Sequence, residues 1–392
     1  MPAVEFKSVD IVFGQNVKAA LALVDRGAAR DEILTETGCV LGAAGVNLAV
    51  ERGQICVLMG LSGSGKSTIL RAINRLNRVT RGSVLVEHRG ATIDVARCDE
   101  AVLRDLRMHT VATVFQQFAL LPWRTVRENV GFGLELQGMA AAERRRIVDE
   151  KLEMVGLSKW AEKHAHELSG GMQQRVGLAR AFATDAEILL MDEPFSALDP
   201  LIRNKLQDEL LDLQETLKKT IVFVSHDLDE AMKLGNTITI LEGGRIVQTG
   251  TAEDILLSPA DDYVAEFVRH VNPLNVLRGT CLLRPVESLT KADGAVILDA
   301  AGRIRVSLDA AGRPISVTLD GRIGRLQACG IDGDAPAHAD LLTAPVEVKL
   351  RAAIALKRLT EQPILLVDQD GRLAGLCGDE EIYQGLLRRG RD

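Results

Sequence analysis

Apolar and polar positions fall into two alternating regimes over the first two thirds of the chain. Residues 46–50 alternate as a half-buried strand does, and 54–59 form a short apolar run. A Gly-rich loop follows at once, and then a helical pattern over 66–77. Strand, loop and helix in that order open a parallel α/β sheet. Further apolar runs predict strands at 111–115, 188–191, 221–225 and 237–241, with helices between them at 142–155, 171–183 and 201–218. Residues 82–96 read as short antiparallel strands, and a helical stretch, 17–38, precedes the strand that leads to the Gly-rich loop. The expected architecture is a mostly parallel sheet with an antiparallel edge and an inserted helical region around 125–168.

The texture changes after Asn272-Pro273, where short strands and Gly turns dominate. Leu298-Asp299-Ala300-Ala301-Gly302-Arg303 is echoed ten residues on by Leu308-Asp309-Ala310-Ala311-Gly312-Arg313, and a similar turn recurs at Asp368-Gln369-Asp370-Gly371-Arg372. Gly after polar residues is what hairpin turns need. Residues 346–359 read as an amphipathic helix, 363–368 and 372–377 as a hairpin, and 379–389 as a second helix. The domain boundary is placed near Arg278, giving domains 1–278, with a helical subdomain at about 117–168, and 279–392.

Dividing the 392 residues by about 150 per domain gives the same two or three domains. Composition narrows the function classes. The net charge of −7 and 3% aromatic residues argue against a nucleic-acid-binding surface. No apolar run approaches the roughly 18 residues a membrane-spanning helix requires, and the N-terminus lacks a secretory pattern. Cys39, Cys56, Cys98, Cys281, Cys329 and Cys377 show no metal-ligand spacing, which fits reduced thiols in a cytosolic protein.

Three motifs carry chemistry. Gly60-Leu61-Ser62-Gly63-Ser64-Gly65-Lys66-Ser67 fits G-x-x-x-x-G-K-[ST] between a predicted strand and a predicted helix. Its glycines let backbone N–H groups turn toward phosphate oxygens, the helix adds its positive end, Lys66 serves the β- and γ-phosphates and Ser67 serves Mg²⁺. Thr68 follows as a further phosphate contact. The apolar run 188–191 ends in Asp192 and Glu193. Asp192 suits Mg²⁺ and Glu193 suits polarising the attacking water. Neighbouring strand residues face opposite sides, so both carboxylates reach one site only if the chain already turns, and Pro194 supports such a turn. Leu168-Ser169-Gly170-Gly171-Met172-Gln173-Gln174-Arg175 opens a helix, with Ser169 as its cap and two glycines exposing N–H groups. A second anion site on one chain suggests that two subunits share each nucleotide.

With that third motif the chain resembles the ATP-binding subunits of ABC transporters. The resemblance implies roles for Gln116 as the Q-loop glutamine and a Mg²⁺ contact, Ser196-Ala197-Leu198-Asp199 as the D-loop, His226 as the switch histidine, and Phe13 as the aromatic that stacks on adenine. Met172 replaces the Gln that commonly ends the signature. The phosphate contacts come from Ser169, Gly170 and Gly171, so little loss is expected. The family's mechanism implies two copies closing head to tail over two ATP, each ATP lying between Lys66 of one copy and Ser169 of the other. It also implies a transmembrane permease as partner, an external substrate-binding protein working through it, and a place on the cytoplasmic face of a bacterial inner membrane.

The insertion 17–38, Phe195-Ser196-Ala197-Leu198-Asp199-Pro200-Leu201-Ile202-Arg203 and Ser225-His226-Asp227-Leu228-Asp229-Glu230-Ala231-Met232 are similar to the quaternary-amine uptake ATPases, over roughly residues 1–275. Residues 118–135 look closest to choline-uptake members, with betaines next. An aromatic cage for the cation needs several Trp or Tyr, and two of each are present, so the cargo is chosen elsewhere in the transporter. The C-terminal order resembles one regulatory module of the cystathionine-β-synthase type, in degenerate form: Gly378 and Glu381 stand where the module has a hydroxyl and an Asp, which puts adenosine-ligand binding in doubt. An inert dimerisation appendage is the competing reading. The competing function, a soluble ABC ATPase acting on nucleic acid or ribosomes, usually needs two cassettes or a long coiled coil, and one phosphate loop with no heptad run is present here. A scaffold with a dead ATPase is argued against by Lys66, Asp192, Glu193 and His226 all being in place.

Overall fold

The structure, a computed structural model, describes all residues except 1, 116–118, 197, 293, 300, 332, 335–337 and 388–392. The chain divides into two compact units, Met1–Thr251 and Ala252–Asp392.

The first unit runs β1 (Val4–Phe13), α1 (Val17–Asp25), α2 (Arg30–Thr37), β2 (Val40–Val50), β3 (Ile55–Met59), α3 (Lys66–Ala72), β4 (Arg81–His88), β5 (Ala91–Asp94), α4 (Glu100–His109) and β6 (Val111–Val114). It continues with α5 (Val126–Val130), α6 (Phe132–Leu136), α7 (Ala141–Met154), α8 (Gly170–Ala183), β7 (Ile188–Asp192), α9 (Pro200–Leu217), β8 (Thr220–Val224), α10 (Leu228–Leu234), β9 (Thr237–Glu242) and β10 (Arg245–Gly250). One sheet has the order β10-β9-β3-β8-β7-β6, parallel from β9 to β6 with antiparallel β10 at its edge. Strands β3, β7 and β8 are buried at every position, as central parallel strands are, which is why they read as unbroken apolar runs. The other antiparallel strands form a sheet of their own, β2-β1-β4-β5, where the one-sided burial of 46–50 explains the alternation. Phe6, Val46 and Leu48 of this sheet join Leu58, Ile69, Leu190 and Val222 in one apolar core.

One detail departs from expectation. The helix expected over 66–77 ends at Ala72, because Arg75 takes a φ of 54° and the Asn77 N–H returns to the Arg71 carbonyl at 3.0 Å. Ala20, Leu23, Val24 and Ile33 of the insertion form a small core with Cys39 and with Val12, Leu41 and Ala44 of β1 and β2. Helices α5, α6 and α7 fall within the expected helical region, and α8, beyond its expected end at 168, packs with them around Val126, Val130, Leu152 and Val176.

The second unit comprises α11 (Ala252–Leu257), α12 (Asp262–Val268), α13 (Pro273–Val276), α14 (Gly279–Leu282), β11 (Arg284–Pro285), β12 (Lys291–Ala292), β13 (Ala295–Ile297), β14 (Ile304–Leu308), β15 (Pro314–Leu319), β16 (Arg322–Gly324) and β17 (Leu326–Ala328). There follow β18 (Leu341–Pro345), α15 (Leu350–Thr360), β19 (Ile364–Val367), β20 (Leu373–Cys377) and α16 (Asp379–Leu386). Its sheets are β11-β20-β19-β18-β17 and β12-β13-β14-β15-β16. The repeated sequence turns are one device used three times. Asp299, Asp309 and Asp368 each accept backbone N–H groups from the far side of their turns, and Gly302, Gly312 and Gly371 take φ of 68°, 84° and 79°.

The boundary expected near Arg278 falls instead at Thr251. Helix α11 packs on α12 and on α13, and α13 packs on α15 and α16. The Leu277 carbonyl accepts from the Leu350 N–H at 2.8 Å, and the Gly279 N–H donates to Val348 at 2.8 Å. Residues 252–278 thus belong to the C-terminal core. Glu381 is spent internally: its carboxylate accepts from the Gly378 N–H and from Arg284 Nε, each at 2.8 Å, and it is buried. No helix among the described residues is long and apolar enough to cross a membrane.

Candidate functional site

The Gly-rich loop lies between β3 and α3, as its spacing requires. Two glycines are obligatory. Gly60, at φ 144°, would bring a Cβ to 2.2 Å from the Leu241 carbonyl, and Gly65, at φ 102°, to 2.4 Å from the Gly42 carbonyl. Lys66 starts α3, and its ammonium donates to the carbonyls of Gly60 at 2.8 Å and Leu61 at 2.9 Å. Burial pushes Lys66 below the usual lysine range, while the carboxylates of Glu193 and Asp192 act in the opposite direction. The Ser64 hydroxyl is buried with no hydrogen-bond partner among the described residues.

Ser67 Oγ donates to Asp192 Oδ1 at 2.7 Å, and Arg71 donates to Asp192 Oδ2 at 2.9 Å. β7 ends at Asp192, and Glu193 then takes a φ of 45° with its N–H on the Val224 carbonyl at 3.1 Å. This is the turn that two adjacent carboxylates need in order to serve one site. Glu193 Oε2 lies 3.2 Å from His226 Nδ1, just past the end of β8. Lys66, Ser67, Thr68, Ser62, Gly63, Gly65, Glu193 and His226 line one cleft of about 580 Å³. Phe13, Val40 and Gly42 form its other wall with Arg30. Phe13 is 41% exposed where it lines the cleft.

Ser169, Gly170, Gly171 and Asp199 do not line this cleft. Ser169 occupies the N-cap position of α8, yet its side chain makes no capping bond, so the expected cap is not formed and the hydroxyl stays at the surface beside exposed Gly170. A Cβ on Gly171 would touch Leu198 and Ile202 at 3.4 and 3.5 Å, and Asp199 caps α9 by accepting from the Ile202 N–H at 3.1 Å. Gln116 and Ala197 lie outside the described residues.

Three participants went unrecognised in the sequence. Ser67 and Arg71 are four apart on one helix, so both face Asp192, and that spacing was readable. Gly42 would carry a Cβ 2.7 Å from the Phe13 ring and 2.9 Å from Thr68, a contact with no local signal. Arg30 reaches the cleft from the insertion, again without a local signal.

The donor set fits a nucleotide with Mg²⁺. Mg²⁺ keeps water and substrate phosphates around one or two protein oxygens rather than an all-protein cage. The Ser67 hydroxyl beside the Asp192 carboxylate is such a pair, and no cluster of three or more His, Cys, Asp or Glu able to hold a metal occurs among the described residues.

The family model described as "ABC transporter" matches residues 43–196. The chain is 40% identical over 98% of its length, and 98% of the relative's, to the glycine betaine/proline betaine transport system ATP-binding protein ProV of Salmonella typhimurium. It is 41% identical to the choline transport ATP-binding protein OpuBA of Bacillus subtilis, over 57% of each chain. Among solved structures it is similar to the dimeric post-hydrolysis state of the ATP-binding cassette MJ0796 bound to ADP and Pi. The TM-score is 0.54 and the identity 32%, over 64% of this chain and 98% of that one.

Proposed function

This chain belongs to the ABC transporter family as an ATP-binding subunit, and from that premise we propose that it is the motor of a quaternary-amine importer, carrying glycine betaine or proline betaine first and choline second. As a member it is an ATPase coupled to transport, using ATP with Mg²⁺. The order of cargoes follows extent of likeness. The betaine-system relative matches over 98% of the chain and the choline-system relative over 57%, against the resemblance of residues 118–135 to choline members. The nucleic-acid reading gains no support from relatives named for transport or from a net charge of −7.

The observation that carries the motor role is the convergence of Lys66, Ser67, Asp192, Glu193 and His226 at the strand ends of one sheet. Lys66 and the loop N–H groups hold and neutralise the phosphates, and Ser67 with Asp192 would hold Mg²⁺, whose charge helps the leaving phosphate. Glu193 orients and polarises the attacking water, and His226, at 3.2 Å, keeps that carboxylate aimed. Catalysis is mainly positioning and charge stabilisation. Because Ser169, Gly170, Gly171 and Asp199 lie away from the cleft, they serve the nucleotide of a second copy in a head-to-tail pair. Closing and opening of that pair drives a permease docked near Gln116, at the cytoplasmic face of the membrane, with an external binding protein delivering the amine.

The test is uptake of labelled glycine betaine, proline betaine and choline by cells lacking this subunit, complemented with wild type or Glu193→Gln. Betaine uptake restored by wild type alone is the expected outcome. Choline restored alone moves the cargo within the branch. Restoration of neither, with the protein expressed and hydrolysing ATP, defeats the quaternary-amine assignment.

A further inference from the structure

The helical insertion has no part in the phosphate loop, the two carboxylates, the signature or the switch histidine. Its own small core fastens it to β1 and β2, and those strands bring Phe13, Val40 and Gly42 to the nucleotide cleft. At the first position of α2, Arg30 extends from this anchored hairpin into the same cleft. One of its terminal nitrogens donates to the carbonyl of Gly63, at the centre of the phosphate loop. A Cβ on Gly63 would lie 3.4 Å from that nitrogen, so the guanidinium sits directly against the loop. The next two residues, Asp31 and Glu32, are acidic and exposed, so no diffuse basic patch explains a cation at this point. Among the described residues lining the cleft, Arg30 and Lys66 are its lysine and arginine side chains.

We propose that Arg30 is a nucleotide contact, its guanidinium donating to the polyphosphate of ATP while it holds the Gly63 carbonyl turned away from that polyphosphate. A guanidinium carries five N–H donors in a fixed fork, enough to serve a carbonyl and a phosphate together. Anchoring Gly63 by its carbonyl leaves the neighbouring loop N–H groups directed at the anion. The insertion thereby becomes part of the ATP site, and nucleotide binding is coupled to the packing of α1 and α2 on the sheet. The inference rests on the ATPase reading of the cleft and adds a residue to it.

The experiment is calorimetric titration of the full-length Glu193→Gln chain, expected to hold ATP and hydrolyse it slowly, with Mg-ATP and separately with Mg-tripolyphosphate, which has no base or sugar. Loss of a charge-assisted hydrogen bond predicts that Arg30→Ala weakens both ligands by about tenfold or more, with Arg30→Lys recovering part of the loss. Arg26→Ala removes an equal charge from an exposed site of the same insertion and binds as the parent does. Thermal melting without ligand checks the fold, and if Arg30→Ala melts early, Arg30→Gln, which keeps the packed stem, carries the comparison. Binding by the Arg30 variants within twofold of the parent overturns the proposal. So does weaker ATP with unchanged tripolyphosphate, which would place the contact on base or sugar. If the parent chain itself fails to bind ATP, the ATPase reading falls first, an outcome distinct from either.

Discussion

Lys66 and Glu193 show how little freedom single residues have in this site. The lysine is buried, and the nearby carboxylates of Glu193 and Asp192 favour its charged form against the cost of that burial. Glu193→Gln keeps the shape of the turn at φ 45° but removes the charge proposed to polarise the attacking water. ATP should still bind, single-turnover hydrolysis should fall about 10²–10⁴-fold, and ATP-bound dimer should accumulate on size exclusion. Near-normal turnover would strip Glu193 of its role. Gly65→Ala tests the loop backbone instead. A Cβ 2.4 Å from the Gly42 carbonyl cannot be relieved by rotating a side chain, and φ 102° is itself unfavourable for alanine. A cost of about 1–3 kcal/mol is expected in the loop conformation, read as ATP binding weaker by about fivefold or more in a calorimetric titration. Unaltered affinity would mean that the loop rearranges freely.

Between residues and domains, helices α9 and α10 carry the clearest coupling. Arg203 on α9 pairs with Asp227, the cap of α10, at 2.9 Å, and Gln207 on α9 donates to Glu230 on α10 at 3.0 Å. Ser225, beside His226, also donates to Glu230. Helix α9 and the segment after His226 are thus tied by one polar cluster, buried at Gln207, Ser225 and Glu230 and partly open at Arg203 and Asp227. Burial pushes the Glu230 carboxyl above the usual carboxylate range, against the donors from Ser225 and Gln207. The folded state therefore holds more protons than the unfolded one above the ordinary value of 4.5, so stability falls as pH rises from there through the raised value. Glu230→Gln can still accept from Gln207 through its amide oxygen and can donate its amide N–H to the Ser225 hydroxyl, which then accepts, so the decline that Glu230 contributes across that window should vanish from the melting temperature; equal slopes in variant and wild type would refute this. These ties join residues more than 20 positions apart, and that is why they were illegible. What could be read was local: a loop whose glycines and lysine have fixed spacing, strands buried on both faces, and Asp-x-x-Gly turns that carry their own hydrogen bonds. Arg30 on Gly63 and Gly42 against Phe13 depend on tertiary placement, which no local pattern encodes.

At the scale of the molecule, the division of the chain was the feature most easily misread. Asn272-Pro273 marks a real change of texture, yet the apolar positions of α11 and α12 before it, and of α13 that starts at Pro273, do not by themselves say which unit they belong to. The hydrogen bonds decide the matter, since Leu277 pairs with Leu350 and Gly279 with Val348, deep in the C-terminal unit. Ile255, Leu256, Val264, Val268, Val276 and Leu277 are all buried there. A chain ended after Arg278 keeps these side chains but loses α15 and α16, against which α13 packs. Burying such a side chain is worth about 1.5–3 kcal/mol, so several exposed together form the kind of apolar surface that drives association. A chain ended after Thr251 carries none of them. The shorter chain should elute as a sharp peak on size exclusion, bind little hydrophobic dye and keep ATP binding. The longer one should bind the dye strongly and aggregate on concentration. The reverse order would return 252–278 to the ATPase unit and restore the boundary near Arg278.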